Sequence, residues 1–281
     1  MNSLYNSRDF NDKIILNHIC YDILSQNLSP GSLWKCDKEK NNDFTFIFVD
    51  GRNHEFSHLE YLASFKSTKL FSKYNYKILV FVPNTTNFLG NYVDLNNWRI
   101  EFIKIDPINS HDNYSEFMIK KLPWLIPDEY CNLIFFQSDS FHIKNGWEDK
   151  IKHLAEMGIT YAGSPWQHYA GIELKMHNQW HDLSNEKNMN LISVGNGATS
   201  FRTLPSIRNI SYYTKDLILR ERGTESKNPP EDLHYAFFSQ IFGKLPTRQQ
   251  AAEVFTDPIT LEEYKNKTSY CCHFPKYKKF P

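Results

Sequence analysis

"LIFFQSDSFHI", residues 133–143, decides how the rest of the chain is read. Four apolar residues, Leu133 to Phe136, run without interruption into Gln137, Ser138, Asp139 and Ser140. An unbroken apolar run of this length predicts a strand buried on both faces, the central kind found in parallel or mixed sheets. Such a strand ends in one of two ways. The aspartate caps a turn, or it belongs to a ligand site, because open α/β sheets bind beyond the carboxyl ends of their strands.

Working outward, apolar strands are predicted at "FTFIFVDGR" (44–52), "YKILVFVP" (76–83), "WRIEFIKI" (98–105, alternating) and "TYAGSPW" (160–166). Amphipathic helices are predicted at 56–71, with Ser57 as a cap, and at 147–158. A helix at 113–126 is interrupted by Pro123, and 231–243 forms the last one. "LISVGNGATSFR" (191–202) reads as loop or hairpin, with Asn-Gly at its tip. Strands alternating with helices predict an α/β sandwich. The weakly patterned first 40 residues hold one helix, within 13–28, giving an N-terminal helical extension (1–40) on a single main domain (41–281).

Bulk properties exclude several classes. Lys and Arg total 32 and so do Asp and Glu, so net charge gives no reason to expect nucleic acid. Five cysteines without C-x-x-C spacing point to a reducing compartment rather than a zinc site. A polar N-terminus and the lack of any 18-residue apolar stretch predict a cytoplasmic protein with no transmembrane segment, which leaves peripheral membrane association open.

Four polar features stand out along the chain. Asp139 ends the central strand. Gly195 and Gly197 flank Asn196, where backbone N–H groups can approach a ligand. Glu231 and Asp232 open an apolar helix in "NPPEDLHYAF", where the helix dipole alone would also favour them. His273 comes late, in "SYCCHFPKY".

In that order they resemble the landmarks of GT-A type glycosyltransferases, a Rossmann-like fold with a mixed, mostly parallel sheet flanked by helices. "IFVDGRNHEF", "FFQSDSF", "YAGSPW", "VGNGATSFR" and "PPEDLHYAF" are similar to a family of bacterial and viral proteins, a domain of unknown function read as GT-A glycosyltransferases, over about residues 44–275. The resemblance implies Asp139 and His273 as ligands of Mn²⁺ or Mg²⁺. Asp232 becomes the base, with Glu231 as the alternative. Asp50, Arg52, Gln137, Ser138, Asn196 and Gly197 fall around a nucleotide-diphosphate sugar. Trp166 and Tyr169 offer aromatic surface to a carbohydrate acceptor or pack in the core. The activity implied is inverting sugar transfer to a hydroxyl, in polysaccharide or glycan synthesis. Two departures stand in the motifs: Gln137 replaces the first aspartate of D-x-D, and Ala198 replaces a glycine. The alternatives are a sugar nucleotidyltransferase and a non-catalytic carbohydrate- or nucleotide-binding protein that keeps the fold. "DGRNHEFSH" is a poor triphosphate loop, which counts against the first.

Overall fold

The computed structural model describes residues 15–26, 33–51, 58–83, 89–165, 172–176, 179–182, 194–221, 230–257 and 261–273. Its centre is a six-stranded sheet in the order β3-β2-β1-β4-β9-β6. These strands are β1 (Lys40–Val49), β2 (Asn75–Val82), β3 (Ile100–Lys104), β4 (Asn132–Phe136), β6 (Tyr161–Pro165) and β9 (Val194–Thr203). β1 to β4 pair in parallel, and β9 runs antiparallel to both β4 and β6. The predicted class, a mixed and mostly parallel sheet flanked by helices, is the one observed.

Alternation along the strands explains why apolar runs, not alternating ones, mark them. Phe46 and Phe48 of β1 face one core with Ile134, Phe136 and Trp147. Ile47 and Val49 face the other, with Leu133, Phe135, Leu204 and Phe237. Successive side chains point to opposite faces, and both faces are covered. The first face carries α2 (His58–Leu70) and α5 (Trp147–Glu156); the second carries α6 (Leu204–Thr214) and α7 (Glu231–Phe242).

Three expectations need correction. The Gly-Asn-Gly segment is not a hairpin tip: it lies within β9, a ten-residue strand between β4 and β6. Its pairing departs from simple register, since Gly163 opposes Ser200 while the next residue, Ser164, opposes Asn196. The bulge so formed absorbs the glycines that suggested a turn.

α2 is not amphipathic in use. Residues 61–69 are buried throughout, because the helical residues 15–25 (α1) cover its outer side. Leu16, Ile19 and Ile23 pack there with Ala63, Phe71 and Phe141. Two lysines of α2 go into the interior by ending on carbonyls. Lys66 Nζ donates to Leu24 O at 2.9 Å and to Gln26 O, and Lys69 Nζ donates to Asn75 Oδ1 at 2.8 Å and to Tyr76 O. Lys66 thereby supplies the carbonyl capping that the end of α1 needs.

Pro123 does not cut a helix in two. α3 (His111–Glu116) passes through a π-helical turn, Phe117–Lys121, into α4 (Leu122–Leu125). A proline inside a helix would collide with the carbonyl four residues back, and the widened turn relieves that crowding.

Two small sheets complete the described structure. One joins β7 (Ile172–Met176), β8 (Gln179–Asp182) and β10 (Ile218–Glu221). The other joins β5 (Ser140–His142), β11 (Phe255–Thr256) and β12 (Cys271–His273), and lies just past the end of β4. α8 (Arg248–Val254) leads into β11, and α9 (Leu261–Asn266) precedes β12.

Candidate active site

The predicted polar residues gather at the carboxyl ends of β1 and β4. Because β9 is antiparallel, its first residues lie at that same end. They form three corners.

The first corner holds the end of β1. Asp50, just past β1, is buried; its N–H donates to Phe81 O at 3.0 Å and its Oδ2 accepts from the Tyr61 hydroxyl of α2. Gly51 follows because there is no room for a side chain: a Cβ there would stand 2.3 Å from that of Ile108. Gln137, at the end of β4, is hydrogen-bonded through its side chain to Tyr114 of α3, and Asp50 acts electrostatically on the same tyrosine. Burial, first of all, raises the Tyr114 phenol far above its ordinary range, so it is a neutral hydrogen-bonding group. Arg52, Trp166 and Tyr169 lie outside the described residues, as does Ser57.

The second corner is the "QSDS" turn. Ser64 Oγ of α2 sits 2.8 Å from the carbonyls of both Gln137 and Ser140, and Ser140 N–H closes the turn on Gln137 O at 3.1 Å. Ser138 is buried, and Ser140 Oγ reaches Ala198 O of β9 at 3.1 Å. The position where a glycine was expected therefore contributes a carbonyl to the turn. Asp139 projects toward β12: its Oδ1 is 3.5 Å from His273 Nε2. The other ring nitrogen, Nδ1, is 3.2 Å from Asp257 Oδ1. The histidine lies between two carboxylates. Burial disfavours its charge, but Asp139 first and then Asp257 outweigh that and raise it to about 10. The two acids thus favour the protonated form of the ring. Sequence reasoning missed Asp257, which sits in "FTDPI" with no periodic pattern around it.

The donor set fits a divalent ion. A carboxylate oxygen and an imidazole nitrogen converge, and an acid on the far side of the ring is the usual device for orienting a ligating histidine. Among the described residues no three His, Cys, Asp or Glu side chains converge as a metal cage. Asp139 and His273 are therefore a partial shell, to be completed by water and ligand oxygens. Mg²⁺ and Mn²⁺ accept that arrangement.

The third corner is built on Gly197. A Cβ there would stand 2.7 Å from Glu231 Oε1 and 2.9 Å from both Arg202 Nη2 and Asp232 Cβ, so only glycine lets β9 touch the start of α7. Gly197 N–H points at Asp232 Oδ2, 3.4 Å away, and Leu233 N–H donates to Oδ1 at 2.7 Å. Glu231 is 5% exposed and faces Arg202, with 3.6 Å between Oε1 and Nη2. Asp232 keeps a partly exposed surface although protein surrounds it on most sides. Burial and then the neighbouring Glu231 push it up to about 7. Asn196 stands in β9 opposite Ser164. Arg202 is the second residue of this cluster that sequence reasoning missed: it was visible in "SFR", but nothing in the sequence says it is buried.

The chain belongs to the family described as "Protein of unknown function (DUF5672)", whose sequence profile matches residues 97–273, more than half of the chain. No curated protein matches it. Several solved structures are similar. The mannosyltransferase Ktr4p from S. cerevisiae is 12% identical with a TM-score of 0.40, covering 73% of this chain and 70% of its own. Core-mannan synthase A (CmsA/Ktr4) from Aspergillus fumigatus, in its Mn/GDP form, is 11% identical with a TM-score of 0.44, covering 77% and 78%. The mannosyltransferase PcManGT from Pyrobaculum calidifontis, in complex with GDP-Man and Mn²⁺, is 8% identical with a TM-score of 0.44, covering 86% of this chain and 65% of its own. Among the described residues no helix is long and apolar enough to cross a membrane.

Proposed function

We propose that the protein is a metal-dependent glycosyltransferase that moves a sugar from a nucleoside-diphosphate donor to a carbohydrate hydroxyl with inversion. The observation that carries this reading is the meeting, at one end of the sheet, of the Asp139–His273 pair with the Gly197–Asp232 contact. One supplies a site for a cation beside a diphosphate, the other a partly exposed carboxylate with raised proton affinity.

When bound at Asp139 and His273, Mn²⁺ or Mg²⁺ supplies positive charge against the charge that develops on a diphosphate leaving group. The protein's own groups do the rest. Asp50 and Gln137, fixed by Tyr61 and Tyr114, line the nucleoside side of the sheet end. Gly197 brings β9 close enough to α7 for its N–H to meet the Asp232 carboxylate. Asp232, partly exposed, takes the proton from the acceptor hydroxyl as its oxygen bonds to the anomeric carbon and the bond to the diphosphate breaks. A proton affinity near neutrality suits a group that must be ionised before the step and protonated after it. A cytoplasmic location and a part in polysaccharide synthesis accord with this reading.

Calorimetry with GDP and UDP, with and without Mn²⁺, tests it. Binding that requires both the metal and Asp139 is expected. Nucleotide binding indifferent to metal would remove the cation site, and no nucleotide binding at all would mark a scaffold that keeps the fold without the chemistry.

A further inference from the structure

Arg202 lies near the end of β9 and has no exposed surface. Its guanidinium carbon lies 4.2 Å from the ring centre of Phe135, 4.8 Å from Tyr235 and 5.2 Å from Tyr161, so three aromatic faces on β4, α7 and β6 hold it. Nε reaches Ser200 Oγ at 3.2 Å. Neither Nη atom has a well-formed hydrogen bond, and the nearest carboxylate oxygen is Glu231 Oε1 at 3.6 Å. A buried cation with so few partners is expensive to keep, and replacing such ion pairs by apolar groups is often neutral or stabilising. The cluster stands directly under Gly197, against the first turn of α7.

We infer that Arg202 is a positioning residue: it draws the Glu231 carboxylate into the interior and so leaves Asp232 as the acid of the pair that faces the acceptor. This rests on the reading of Asp232 as the base, and it decides between the two candidate bases on geometry. Glu231 is buried and points at the guanidinium; Asp232 keeps exposed surface and meets the Gly197 N–H. The sequence "ED" at a helix start then acquires a division of labour, with the first acid anchored and the second free to exchange a proton. Groups from three elements face Asp232. From α7 come Glu231 and the Leu233 N–H, from β9 Arg202 and the Gly197 N–H, and from β6 the Tyr161 phenol, whose hydroxyl is committed to Gly195 O. Glu231 raises its proton affinity and Arg202 lowers it.

Carbon-13 NMR titration of the Asp232 carboxyl carbon, assigned by its loss in Asp232→Asn, reads the arrangement without relying on activity. In Glu231→Gln, which keeps the side-chain volume, the Asp232 midpoint should fall by about one pH unit or more. In Arg202→Met it should rise, and Arg202→Lys should return part of the way. An unmoved midpoint in Glu231→Gln overturns the proposal even if Arg202→Met fails to fold. Hydrolysis of a UDP- or GDP-sugar with Mn²⁺, water serving as acceptor, supplies the second reading: the acid limb of the pH–rate profile should move with the titration midpoint. A midpoint that moves while the acid limb stays in place keeps Arg202 as the organiser of the two acids and removes Asp232 as the base.

Discussion

The cation corner and the base corner are built on opposite plans. Asp139, His273 and Asp257 come from three short segments, the turn after β4 and the ends of β12 and β11, and meet as an acid–imidazole–acid chain with separations of 3.5 and 3.2 Å. Arg202, Gly197 and Asp232 come from a ten-residue central strand and a twelve-residue helix, packed so closely that a single methyl group would not fit. A group that must release one partner and accept another gains from charge-balanced contacts between short segments. One that must hold a fixed proton affinity gains from close packing of strand against helix. On the proposed reading, the first corner is the one that exchanges partners and the second the one that holds its proton affinity.

The largest effect expected from separating the corners belongs to Asp139→Ala. It should abolish Mn²⁺-dependent transfer, a loss of about 10³-fold or more if the metal supplies several kcal/mol, with the Asp232 titration untouched. Steady-state rates and the NMR midpoint together check it, and a shifted midpoint would mean that the corners are coupled. Next, Asp232→Asn should lower the rate by about 10² to 10⁴ while calorimetry finds nucleotide and Mn²⁺ binding intact. Unchanged turnover would place the base elsewhere. Third, Asp257→Asn should weaken Mn²⁺ binding by about 10- to 100-fold through loss of orientation at His273. An unaltered Mn²⁺ isotherm would reduce Asp257 to a packing role. The smallest effect is one of pH. Asp232 is pushed above the ordinary carboxylate range, so the rate should climb as pH rises through about 7 and level off above it. The same shift runs the other way for stability. The folded form binds the proton more tightly than the unfolded chain, so Asp232 costs the fold progressively more as pH rises from the ordinary carboxylate range to about 7. A urea midpoint followed across that window should fall more in the wild type than in Asp232→Asn.

How much of this was legible in the sequence follows from what each element depends on. β1, β2 and β4 announce themselves because burial on both faces demands an unbroken apolar run. Asp139 was conspicuous because it ends such a run. β9 was misread because its identity as a strand is conferred by neighbours on both sides, distant in the chain, and its glycines serve a bulge rather than a turn. α2 was read as half-exposed because nothing in 58–70 says that α1 will cover it. Asp257 and Arg202 escaped notice for a related reason: a carboxylate in a loop and an arginine at a strand end acquire meaning only from the imidazole and the acid that tertiary structure brings to them.

The bulge in β9 has a consequence for how such a site can change. Residues 200–203 are in strict step with β4, while 194–196 pair separately with the end of β6 across the bulge. A one-residue slip in an ordinary strand would turn every side chain to the wrong face, but here the irregularity works as a slip joint. Residues 194–196 can change without moving the stretch that carries Arg202, so on the proposed reading the donor side can vary while the Arg202–Glu231 contact stays where it was.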